Sequence, residues 1–229
     1  MFDGRFWAEH FSRVFSKQIT HFCIAVETRF LPTFESLEAE AQQVSDTEWE
    51  RLGHIVNPEY ADESQLAEQA YETGVEYFMS MDGVRQSLIN LAVMALYHLF
   101  EQQFLLFHRR QVLHPTEEND KKLINTAEFK ARLSTAGVEI TSLSAWPKVE
   151  ELRVVANTIK HAEGTSADNL RQLRPDLFNH PQTREFTSSS MSHVYMPLAG
   201  EDIYLTVADL KEYCEALLEF WKELGVAIQ

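Results

Sequence analysis

Between residues 88 and 107 the chain reads LINLAVMALYHLFEQQFLLF. As a helix this stretch is about 30 Å long, and it is apolar on nearly every side at its middle. Such a helix is at home in the centre of a bundle or in a membrane. Asn90, His98, Glu101, Gln102 and Gln103 decide between the two. Charge and amide in mid-span are costly in lipid, and Arg109 and Arg110 follow directly. The stretch therefore predicts a central helix packed among other helices, with no membrane association.

The remaining periodicities supply the neighbours. Phe6, Trp7, Phe11, Val14, Phe15, Ile19, Phe22 and Val26 recur at three- and four-residue steps, which predicts a helix over 5–30. Pro32 opens a second helix that runs to Gly53. A third runs from about Asp62 to Met81. Asp82-Gly83 reads as a break before the long central helix, Val84 to about Val112. After the polar connector HPTEEND, Thr126 caps a short helix and Gly137 stops it. VEITSLS reads as extended. Ser144 caps a helix with Pro147 in its first turn, ending at Gly164, and Ser166 caps a shorter one ending before Pro175. HVYMPLAGEDIYLT reads as a small β-hairpin about Ala199-Gly200. Thr206 with Asp209 caps a final helix whose apolar face is Leu210, Tyr213, Leu217, Phe220, Trp221 and Leu224. The sum is about seven helices and one small hairpin, without repeats or a dividing linker. That is an all-α bundle with a long central helix, forming one domain over 1–229.

Length and composition agree: 229 residues, 45% of them hydrophobic, can bury a substantial core. Two cysteines, Cys23 and Cys214, make no disulfide framework; they fit a reducing compartment and the fate of small buried hydrophobes. MFDGRFWAEHF lacks the charged start and apolar run of a signal peptide, so a cytoplasmic location is expected. The net charge of −15 opposes casual nucleic-acid binding. It is uneven, however: residues 108–185 hold 12 Lys/Arg and 11 Asp/Glu, a net of +1, and the rest of the chain carries −16.

No Gly-rich phosphate loop, CxxC pair, HExxH or GxSxG occurs, so nucleotide-hydrolase, zinc-finger and serine-hydrolase readings have no footing. His98, Glu101 and His108 could share a helix face and would suit zinc or iron. Di-iron bundles use the opposite order, Glu-x-x-His, in pairs from different helices; a buried His–Glu hydrogen bond is the plainer reading. The stronger pattern lies in ELRVVANTIKHAEG. Arg153, Asn157 and His161 stand four apart on one helix face, with Lys160 beside the last. An imidazole moves protons near neutral pH, a guanidinium offers a fork suited to phosphate, Lys160 adds a cation, and Asn157 can orient a ligand group. Together they could cleave RNA without a metal: the 2′-hydroxyl attacks the adjacent phosphate, His161 transfers the proton, and Arg153 with Lys160 stabilises the developing charge. The plain alternative is that Lys160 and His161 only favour the negative end of their helix.

An Asn-x-x-Lys-His helix inside an all-α bundle with a long central helix resembles the HEPN superfamily (higher eukaryotes and prokaryotes nucleotide-binding). The resemblance covers about residues 84–164 in architecture and 153–161 in motif. It implies a metal-independent endoribonuclease without a cofactor, of the kind found in toxin–antitoxin, phage-defence and CRISPR systems. It also implies a homodimer whose two motifs face a shared cleft, an RNA substrate, and a protein partner in such a system. His161 falls on the family's catalytic His and Asn157 on its polar position. The family's Arg is often directly before that polar residue, where this chain has Ala156; the nearest upstream arginine is Arg153, with seven residues between it and His161. Three readings follow: the ribonuclease, with Glu101 as support from a neighbouring helix; a non-catalytic HEPN-like binding module, which a salt-bridged Arg153 would favour; and a metal-dependent bundle enzyme using His98, Glu101 and His108.

Overall fold

The computed structural model describes residues 3–55, 62–180, 198 and 202–229. Its elements are α-helices α1 (Gly4–His10), α2 (Ser16–Ala25), α3 (Leu37–Ile55), α4 (Glu63–Phe107), α5 (Thr126–Thr135), α6 (Trp146–His161), α7 (Thr165–Leu173) and α8 (Val207–Ala227). π-turns at Phe11–Phe15, Val26–Phe30 and His108–Val112 extend α1, α2 and α4. The fold is all-α. No described helix is long and apolar enough to cross a membrane.

The chain divides into two compact units, Met1–Ala25 with Ile89–Gln229, and Val26–Leu88. In the first, an aromatic core forms where the apolar stripes of α1, α2, α4 and α8 meet. Trp221 is fully buried against Phe11 and Phe15, with ring centroids 4.7 and 4.9 Å away, and against Phe100 and Phe220. Its indole N–H donates to Gln103 Oε1 at 2.9 Å, and Gln103 Nε2 donates to the Phe15 carbonyl at 3.1 Å. The amide in the middle of the apolar helix thus satisfies a buried indole and the end of the Phe11–Phe15 π-turn. α6 packs against α7 and α8. The second unit is a two-helix hairpin, α3 against the first part of α4. The two approach closely at Gly74, where a Cβ would lie 2.8 Å from the Ala41 carbonyl oxygen.

Several local expectations are corrected. α4 runs unbroken through Asp82-Gly83; Asp82 pairs with Arg85 one turn on at 2.6 Å, and one helical glycine costs only about 1 kcal/mol. α5 is capped by Asn125, whose side chain accepts from Glu128 N–H, rather than by Thr126. VEITSLS contains a 3-10 turn, Ile140–Ser142, held by Glu139. Ser144 does not cap α6: its N–H and hydroxyl both donate to Glu223 of α8, so the entry to α6 is bound to the last helix. α6 ends at His161, and Gly164, rather than Ser166, precedes α7.

The small hairpin is not found: there is no strand among the described residues. On the side of the expected hairpin that is described, Tyr204 N–H donates to the carbonyl of Leu177 in the 3-10 turn Pro175–Phe178, so that bond is not one of a strand ladder. The other arm, 193–197, lies outside the described residues. Cys23 and Cys214 are buried, as expected of small hydrophobes, but they are also bonded to each other, joining α2 to α8 across 191 residues of sequence. The Thr206–Asp209 capping box of α8 is present in full.

Candidate functional site

α6 buries one face and leaves the other half-open. Leu152, Val155, Ala156 and Thr158 are buried, Arg153 and Asn157 are half-buried, and Lys160 and His161 are exposed at the helix end. Arg153, Asn157 and His161 therefore do share a face. Ala156, the residue directly before Asn157, belongs to the core, so a guanidinium has no room at that position.

Sharing a face does not bring the two ends together. Arg153 and His161 are eight residues apart, about 12 Å along the axis. Helical side chains lean toward the N-terminus, and Arg153 follows that rule: its Nε donates to Glu150 Oε2 at 3.0 Å, one turn further from His161. Arg153 lines a small cavity of about 20 Å3 together with Tyr97 and Glu101 of α4, Thr126, Trp146 and Glu150. Glu101 thus borders the same cavity as Arg153, from the neighbouring helix. Tyr97 was not legible as a neighbour of the stripe; its only signal is its place one turn before Glu101. Burial, and then the Glu101 carboxylate, push the Tyr97 phenol well above its ordinary value, so it is a proton donor rather than a phenolate.

The exposed end of the stripe is built on an unusual turn. Ala162 has φ 61° and ψ −53°, and Glu163 N–H donates to the His161 carbonyl at 2.7 Å. This is a γ-turn of the rare, strained hand, in a residue with a Cβ, and it stops α6 at His161. The surroundings hold it in place. Arg171 Nη2 meets Glu163 Oε1 at 2.7 Å and holds its carboxyl below the usual range, and the same oxygen accepts from Leu198 N–H at 2.9 Å. Glu163 and Arg171 are the residues that sequence reading missed here.

Beneath the stripe, Arg174 reaches Glu151 of α6, Asp176 and Asp209 of α8, each at 2.8 Å. Tyr213 and Lys148 also donate to Glu151, at 2.8 and 3.1 Å. Burial alone would raise the carboxyls of Glu151 and Asp209; these hydrogen bonds, with those from Thr206 to Asp209, outweigh it and hold both below their ordinary values. The network fixes α6 against α8.

His98, Glu101 and His108 do not converge. His98 Nδ1 and Glu101 Oε2 are 3.7 Å apart at the surface, a loose exposed pair and not the buried hydrogen bond expected. His108 is buried between Phe104 and Phe129 and donates from Nε2 to the Leu123 carbonyl at 2.8 Å. Among the described residues, no group of three His, Cys, Asp or Glu could hold a metal ion. No family model matches the chain, and no curated protein or solved structure is significantly similar to it.

Proposed function

We propose that the protein is a metal-independent endoribonuclease of HEPN type, an effector in defence or toxin–antitoxin systems, acting at the exposed end of α6. The observation that carries this reading is the strained turn at Ala162. Backbone strain held in place by a carboxylate, an arginine and a distant backbone amide is characteristic of sites that must present a side chain in one position. The side chains presented are His161 and Lys160, with Asn157 one turn behind. His161 takes the proton of the attacking 2′-hydroxyl or supplies one to the leaving oxygen, and Lys160 stabilises the phosphate charge. Because Arg153 points away, its guanidinium would serve a different phosphate, or the copy of the site across a homodimer cleft. The test is cleavage of total RNA in EDTA by the parent and by His161→Ala.

The second reading, a non-catalytic HEPN-like binding module, is favoured by the Arg153–Glu150 pair, which occupies the guanidinium needed at the phosphate. Unchanged cleavage by Arg153→Met together with lost cleavage by His161→Ala would speak for catalysis with a lysine–histidine pair. RNA binding without cleavage in the parent would speak for the module.

A further inference from the structure

The hairpin Val26–Leu88 carries most of the chain's charge: 14 Asp/Glu against 3 Lys/Arg, a net of −11 out of −15. It also exposes large apolar side chains, including Trp49 on α3 and Tyr71 and Met79 on α4, the last two 68% exposed. Two helices cannot enclose a core, so one side of their seam stays open. Glu38, Ala41, Gln42 and Ser45 line a groove from α3, and Tyr71, Gly74, Val75 and Phe78 line it from α4. Each set has the spacing i, i+3, i+4, i+7, the stripe that a third helix reads. Ala41 and Gly74 form the buried floor, Val75 and Phe78 are half-buried walls, and the open groove offers about 330 Å3. The other flank of the seam is lined by Glu40, Gln43, Val44, Thr47 and Glu48 from α3 and by Tyr77 from α4.

We propose that this groove is a docking site for a basic amphipathic helix of another protein. Its apolar stripe would complete a three-helix arrangement over Ala41, Gly74, Val75 and Phe78, as in other helix-in-groove recognition. Its lysines and arginines would meet Glu38 and Glu68 and the field of the acidic hairpin. Charge selects the occupant: a second copy of this chain would bring another −11 against the first, and an acidic or neutral helix would gain nothing from the rim.

The test uses the full-length protein and a fluorescent leucine–lysine peptide of about 18 residues, long enough to form a helix on the groove. Its leucines stand at i, i+3, i+4 and i+7; a scrambled peptide of the same composition is the control. Anisotropy should show saturable binding of the patterned peptide only. Tyr71→Ala, and Glu38→Lys with Glu68→Lys, alter exposed side chains and should keep the parent's helicity; each should weaken binding about tenfold or more. Equal binding of the scrambled peptide would reduce the interaction to charge and overturn the proposal. So would patterned-peptide binding unchanged in both variants, no binding of either peptide, or a dimer of the protein alone that Tyr71→Ala dissociates.

Discussion

Replacing Arg174 with methionine tests the network that holds the α6 stripe in place. The guanidinium has 19% of its side chain exposed and reaches three carboxylates, but these are not equivalent. Asp176 is 42% exposed, so losing that pair costs about 0–1 kcal/mol. Glu151 and Asp209 are 13% and 9% exposed, and each loses a charged hydrogen bond worth about 1.5–3 kcal/mol. Each also keeps partners: Tyr213 and Lys148 for Glu151, Thr206 for Asp209. The loss should therefore fall at about 3–4 kcal/mol, within the range for breaking a buried pair, or a drop of about 10 °C in Tm for a chain of this size. The pH dependence gives a second reading. In the parent both carboxyls lie below their unfolded values, so the stability they contribute is present above about pH 4.3 and lost as pH falls further. In Arg174→Met both carboxyls lose one of the partners that hold them down and rise relative to the parent, so protonation relieves the variant. The gap between parent and variant should thus narrow from pH 7 to pH 4 in thermal melts. A gap below about 1 kcal/mol at pH 7, or one that widens on acidification, would refute the assignment of this network as the clamp on α6.

Three further outcomes follow from the packing. Gly74→Val should destabilise by about 1–3 kcal/mol in urea unfolding, because its Cβ would press on the Ala41 carbonyl, whereas Gly83→Ala, with nothing within 4 Å of its Cβ, should stabilise by about 0.5–1 kcal/mol. Trp221→Phe should cost about 3 kcal/mol by denaturant titration, through the buried Gln103 oxygen left without its donor and the volume lost among Phe11, Phe15 and Phe100; a cost under about 1 kcal/mol would mean that the core repacks freely. The Cys23–Cys214 bond should make both thiols unavailable to alkylation until reduction, and reduction should lower stability by about 2–4 kcal/mol; two free thiols in the untreated protein would contradict it.

What could be read in advance follows the range of the interactions. The long apolar helix, the apolar face of α8 and the Thr206–Asp209 box depend on residues within a few positions of each other, and the periodicities show them. The register of Arg153, Asn157 and His161 was legible for the same reason. Where the guanidinium points was not, because Glu150 competes for it at the same range as any ligand would. Asp82-Gly83 was misread as a break because turn residues are ambiguous when the flanking helices continue in phase. Ser144 was misread as a cap because its partner, Glu223, lies 79 residues away. The Cys23–Cys214 bond and the contact of Leu198 N–H with Glu163 were illegible for the same reason: they join segments whose proximity exists only once the bundle has formed.

The most direct measurement is cleavage of total RNA in the presence of EDTA, parent against His161→Ala, with circular dichroism to show that both are folded. His161 is exposed at the end of its helix, so the substitution should leave the fold intact. The account predicts that the parent cuts RNA without a metal and that the alanine variant does not. A folded variant that cuts as well as the parent would contradict it.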